Sequence, residues 1–123
     1  MRIASLFGRK QRGDRAEHLA EHYLRRHGLR TLERNYRTRQ GEIDLIMLDG
    51  ATHVFVEVRL RSRQDYGGAA ASIGHAKQKR IVAAAQHFLG GRASPPPCRF
   101  DVVLLNQLDA EAIEWIKNAF VTP

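Results

Sequence analysis

Between residues 42 and 61 apolar and polar side chains alternate as in a β-hairpin: EIDLIMLD, then Gly50 and Ala51, then THVFVEVRLR. Gly50 supplies the positive φ of a two-residue turn, which predicts strands over 42–49 and 52–61. Upstream, Ala16, Leu19, Ala20, Tyr23 and Leu24 recur at the three-and-four spacing of one helical face. Asp14, with Glu17 three positions later, predicts a capping box at the start of that helix, and Gly28 a left-handed stop. The run 29–36 alternates weakly and predicts a partly exposed strand. Downstream, HAKQKRIVAAAQHFLGG sets Ile81, Ala84, Ala85, Phe88 and Leu89 on one stripe and ends a second helix at Gly90 and Gly91. After the stiff Pro95–Pro97 connector, CRFDVVLLN suits a strand covered on both faces. The tail EAIEWIKNAF fits either a short strand at 112–116 or a helical turn.

This order is helix, three strands, helix, strand, with a small closing strand as an option. Strand–helix–strand crossovers are right-handed in about 98% of cases, so strand 98–106 is expected parallel to strand 52–61 in a mixed α/β sheet. The Gly-, Ala- and Ser-rich stretch 62–74 predicts a mobile loop able to close over a ligand. No repeat or second composition appears, so residues 1–123 are expected to form one domain with a flexible basic end over 1–12.

The hairpin carries acids where a buried sheet wants none. Glu42, Asp44, Ile46 and Leu48 share one face by alternation, as do His53, Phe55, Glu57 and Arg59 on the next strand. With Gly50 and Ala51 as the turn, Asp49 faces Thr52, Asp44 faces Glu57 and Glu42 faces Arg59. At an effective dielectric near 20, two unit charges about 4 Å apart repel by about 4 kcal/mol. A divalent cation relieves this: hard carboxylate oxygens with water and phosphate oxygens suit Mg²⁺ or Mn²⁺, and such a site fits phosphodiester hydrolysis. Glu42 is a supporting acid on the same face. The alternative is structural, with Glu57 paired to Arg59 or another arginine and Asp44 neutralised by Arg37 or Arg39.

Twenty Lys plus Arg against thirteen Asp plus Glu give a formal charge of +7, which favours a polyanionic partner, nucleic acid first. Lys77, one turn before Ile81, is positioned to reach phosphate, while Arg61, Arg63, Lys79 and Arg80 form a basic surface that positions a backbone without reading bases. The single cysteine, Cys98, excludes an internal disulfide and is expected to pack in the core, as is Trp115. No uncharged apolar stretch nears the roughly 20 residues that span a bilayer, so a cytoplasmic protein is expected.

Taken together, GEIDLI, VFVEVRLR, AKQKRIVAAAQHFL and CRFDVV resemble the YraN-like family of predicted bacterial endonucleases. That family is similar to archaeal Holliday-junction resolvases, with a restriction-endonuclease-like core and a PD-(D/E)xK metal site. The resemblance implies a metal-dependent DNA endonuclease, acting on branched DNA, and a homodimer by analogy. It also implies that Asp44 and Glu57 bind metal, that Glu17 completes the site, and that residue 59 is the motif's basic member. The family usually has lysine at that last position, and this chain has Arg59. An arginine is a fixed cation, unable to act as a base but suited to bidentate phosphate contact. Arg59 therefore keeps a second reading open, a nucleic-acid-binding module with the same fold and little or no cleavage. A third rests on His18-Leu19-Ala20-Glu21-His22, which matches the inverted zinc-protease signature H-x-x-E-H. Helical geometry sets His18, Glu21 and His22 opposite the apolar stripe, expected to face water without a cleft.

Overall fold

A computed structural model describes residues 9–60, 73–106 and 113–121. Helix α1 (Arg9–Arg26) leads into β1 (Arg30–Arg37), β2 (Glu42–Asp49) and β3 (Thr52–Leu60); α2 (His75–Leu89), β4 (Cys98–Leu105) and β5 (Ile113–Phe120) follow. The five strands form one sheet in the order β1-β2-β3-β4-β5. The β3–β4 pair is parallel, Val56 against Asp101 and Val58 against Val103, as the crossover rule requires, and the other pairs are antiparallel. This mixed sheet flanked by two helices is compatible with a restriction-endonuclease-like core.

The helices cover opposite faces. Ala16, Ala20 and Leu24 of α1 pack on Leu45, Met47, Val54, Val56, Val103 and Leu105. Ile81, Ala84, Ala85 and Leu89 of α2 pack on Ile43, Ile46, Phe55 and Phe100. With both faces covered, β3 and β4 read as near-continuous apolar runs.

The hairpin turns as its sequence predicts, with Asp49 opposite Thr52 and Gly50 at φ 61°. Gly28, at φ 94°, closes α1 with its N–H on the Arg25 carbonyl. The start of α1 differs from the capping-box expectation. The helix begins at Arg9, so Asp14 and Glu17 lie in its interior and its first turn holds no acid. Arg, Lys and Gln are good helix formers, and the chain continues through Gly13 at a cost of about 1 kcal/mol. Residues 9–12 of the segment expected to be a flexible end are thus helical. The rest of that segment, and 61–72 of the expected loop and strand end, lie outside the described residues.

β5 is a full eight-residue strand rather than a short one. Asp101 accounts for it. Fully buried in β4, it accepts the Arg99 Nε–H at 3.1 Å, the Trp115 indole N–H at 2.9 Å and the Asn118 backbone N–H at 2.9 Å. Asn118, at φ 54°, bends the edge strand onto that carboxylate, so the strand is held in the sheet beyond Trp115. Trp115 is accordingly half-buried, its ring against the α1 core and its N–H on Asp101. Cys98 is exposed, because it opens β4 before the strand enters the core.

Candidate metal and nucleic-acid site

β2 and β3 pair down the hairpin as far as Leu45 against Val56. Beyond that point a side chain takes over, with the Val58 N–H donating to Asp44 Oδ2 at 2.8 Å. Ile43 and Ile46 pack in the same α2 cluster although they are three residues apart, so the two-residue alternation breaks at Asp44. On the neighbouring strand, Asn35 has φ 51° between the pairs Arg34–Leu45 and Tyr36–Ile43. This local irregularity lets the Asp44 carboxyl reach across to β3 instead of standing over β2.

There it lies beside the Glu57 carboxyl, one residue along β3 from the Val58 N–H that it accepts. Burial first and Glu57 second push Asp44 up to about 8, against the Val58 N–H, which favours the anion. Glu57 is itself buried and accepts the Lys77 ammonium at 2.5 Å. Glu17 comes from α1 on the other side of the sheet edge. Burial raises its pKa, followed by the charges of Asp14, Glu42 and Glu57, and Arg37 opposes them. Asp44, Glu57 and Lys77 are therefore in contact, with Glu17 within electrostatic reach.

The other expected positions divide. Glu42 does not face Arg59; its carboxylate pairs with Arg37 of β1 at 3.3 Å, because the β1–β2 ladder runs on to Arg37–Glu42 while the β2–β3 ladder stops earlier. Arg59 lies beside Leu104 of β4, and its side chain makes no hydrogen bond or ion pair among the described residues. Neither acid is neutralised by an arginine there. Lys79 and Arg80 are exposed on α2, and Arg80 lines a groove with Lys77. Arg61 and Arg63 lie outside the described residues.

Glu21 is buried, not water-facing as the helix pattern suggests. It accepts Thr31 Oγ1 at 2.6 Å and Arg34 Nε at 2.8 Å, and the arginine holds its pKa down. Those partners come from β1, which helical periodicity cannot register. Glu21 lines a cleft of about 490 Å³ with Asp14, Glu17, His18 and Arg34, while His22 is exposed. Its oxygens are thus committed to Arg34 and Thr31.

Among the described residues no group of three His, Cys, Asp or Glu side chains is gathered as a ready-made metal nest. The pair Asp44–Glu57 suits a different kind of ion. Mg²⁺ and Mn²⁺ bind through one or two carboxylates and keep water or phosphate oxygens in the remaining positions. Asp44, raised by burial and then by Glu57, is a donor that such a dication would convert to an anion.

Residues 16–105 match the family described as "Uncharacterised protein family UPF0102". A UPF0102 protein of Methylobacillus flagellatus is 58% identical over 90% of this chain and 97% of its own length. Another, from Dechloromonas aromatica, is 58% identical over 89% of this chain and 88% of its own length. One from Janthinobacterium sp. strain Marseille is 54% identical over 87% of this chain and 85% of its own.

Proposed function

Because this chain belongs to the uncharacterised protein family UPF0102, the YraN-like family, we propose that it is a metal-dependent DNA endonuclease acting at the Asp44–Glu57 pair. One observation carries the reading: half-buried Asp44 and buried Glu57, from adjacent strands, lie side by side with a lysine ammonium at their edge. A purely structural acid pair would be mated to arginine, as Glu21 is to Arg34. Asp44 and Glu57 would hold Mg²⁺ or Mn²⁺, which supplies charge neutralisation and water activation when bound. Glu17 stands close enough to share in the site electrostatically.

The remaining groups act on the phosphate. The Lys77 ammonium, exposed on its outer side, would bind a phosphate oxygen once Glu57 no longer needs it. Arg59, with a fixed charge, would hold a second oxygen through parallel N–H donors and take no proton. The positive balance of the chain draws DNA in. Cytoplasmic residence follows from such a substrate; among the described residues no helix is long and apolar enough to cross a membrane.

The test is cleavage of branched and linear DNA with Mg²⁺ or Mn²⁺. Metal-dependent cutting by the intact protein, lost in Asp44→Ala, supports the reading. DNA binding without cleavage in either metal favours the binding module, for which Arg59 in place of lysine is the specific ground. If Arg59 limits turnover, Arg59→Lys raises the rate at similar affinity.

A further inference from the structure

A groove of about 340 Å³ lies between the β1–β2 turn and the first turns of α2. Arg37, Arg39, Lys77 and Arg80 line it against a single carboxylate, Glu42, which Arg37 already pairs. The turn is held rigidly. The Thr38 hydroxyl accepts the Gln40 and Gly41 N–H groups, each at 3.1 Å, and donates to the Gly41 carbonyl at 3.0 Å. Gly41 packs so tightly on α2 that a Cβ there would stand 2.4 Å from the Arg80 carbonyl oxygen. The cations of turn and helix therefore form one fixed wall.

Two features give this wall a direction. Lys77 lines the groove and pairs with Glu57, so the groove adjoins the acid pair through that lysine. The cleft on the other side of Arg37 is lined by Asp14, Glu17 and Glu21, and its Arg34 is spent on Glu21. A polyanion is repelled from that side and attracted on this one. Arg39 and Arg80 have no side-chain partner among the described residues.

From this we propose that the groove is the track for a DNA strand approaching the acid pair, with Arg39 and Arg80 holding the phosphates that flank the one at Asp44–Glu57. The assignment rests on the nuclease reading for its direction, and extends it to the strand's path. Titration of a fluorescein-labelled DNA duplex by anisotropy, in EDTA and across a salt series, tests it. The double variant Arg39→Gln/Arg80→Gln should bind about tenfold more weakly or worse, and its log–log salt slope should be shallower by about 1.8, since each lost phosphate contact removes about 0.9. The control Arg25→Gln/Arg26→Gln removes two exposed cations from the end of α1 and should change affinity less than twofold. Both pairs of positions are exposed, and unchanged melting temperatures verify folding.

Equal losses in the two double variants would mean diffuse surface charge and overturn the track. So would an unaltered slope in the groove variant, or no duplex binding by the wild type. The two readings fail separately. A wild type that cuts while the groove variant binds normally sinks the track alone; a wild type that binds through the groove without cutting in any metal sinks the nuclease alone.

Discussion

Asp44 sits where burial and a neighbouring carboxyl both favour its protonated form, and only the Val58 N–H favours the anion. Its folded pKa, about 8, lies far above the 3.8 of the ordinary side chain. Between those values the folded metal-free protein holds a proton that the unfolded chain releases. Its contribution to stability is complete below about 4 and is lost as pH rises through about 8. Asp44→Asn keeps an acceptor for Val58 and offers Glu57 a donor without ionising. Thermal melts in EDTA should show this variant gaining several degrees over wild type at pH 8, and a flatter pH profile between 4 and 8. An equally steep profile in both proteins would remove Asp44 as the cause. The two-residue turn made it legible that these acids lie near one another on adjacent strands, but the break in alternation at Asp44, which carries its carboxyl across to β3, was not legible. The Lys77 partner was legible only as a phosphate contact. Its ion pair with Glu57 depends on how α2 lies on the sheet, which no local pattern encodes.

At the scale of elements, the β1–β2 turn and β5 are held by contacts that no periodicity announces. Gly41→Ala pushes a methyl group into the Arg80 carbonyl, so turn and helix must separate. Overpacking of this kind costs about 1–3 kcal/mol, and urea denaturation should show it. Asp101→Ala should cost about 1–3 kcal/mol, because it leaves the Trp115 and Asn118 N–H groups without their acceptor and half-buried Arg99 with Asp49 as its remaining counter-charge. Trp115 is the sole tryptophan, so its emission should shift in the same variant and report the loosening of β5 directly. The sequence read strand 98–106 as a buried apolar run and passed over the Asp101 within it. The Trp115 and Asn118 donors that make it tolerable arrive from a strand that the sequence left open between a strand and a helical turn.

For the molecule as a whole, metal and stability are linked. An ion that binds the folded chain alone stabilises it by about 2.7 kcal/mol at a hundredfold excess over its Kd. For a domain of this size that amounts to roughly 10 °C. Mn²⁺ should therefore raise the melting temperature of the wild type, more at pH 8 than at pH 5 because protons compete for the same oxygens, and should leave Asp44→Asn nearly unmoved. Equal shifts in both proteins would place the ion elsewhere.

The order helix, three strands, helix, strand, the parallel β3–β4 pair and the two covered faces follow from the sequence by itself, because each depends on local period, turn chemistry and chirality; β5 as a full strand does not. The tertiary structure alone decided where α1 begins, that Glu21 turns inward to Arg34, that Glu42 pairs with Arg37, and that Arg37 and Arg39 join Lys77 and Arg80 in one groove. Those outcomes depend on which charged groups end up adjacent once helices dock on a sheet, and a charge is cheap in water and costly only next to what burial makes its neighbour.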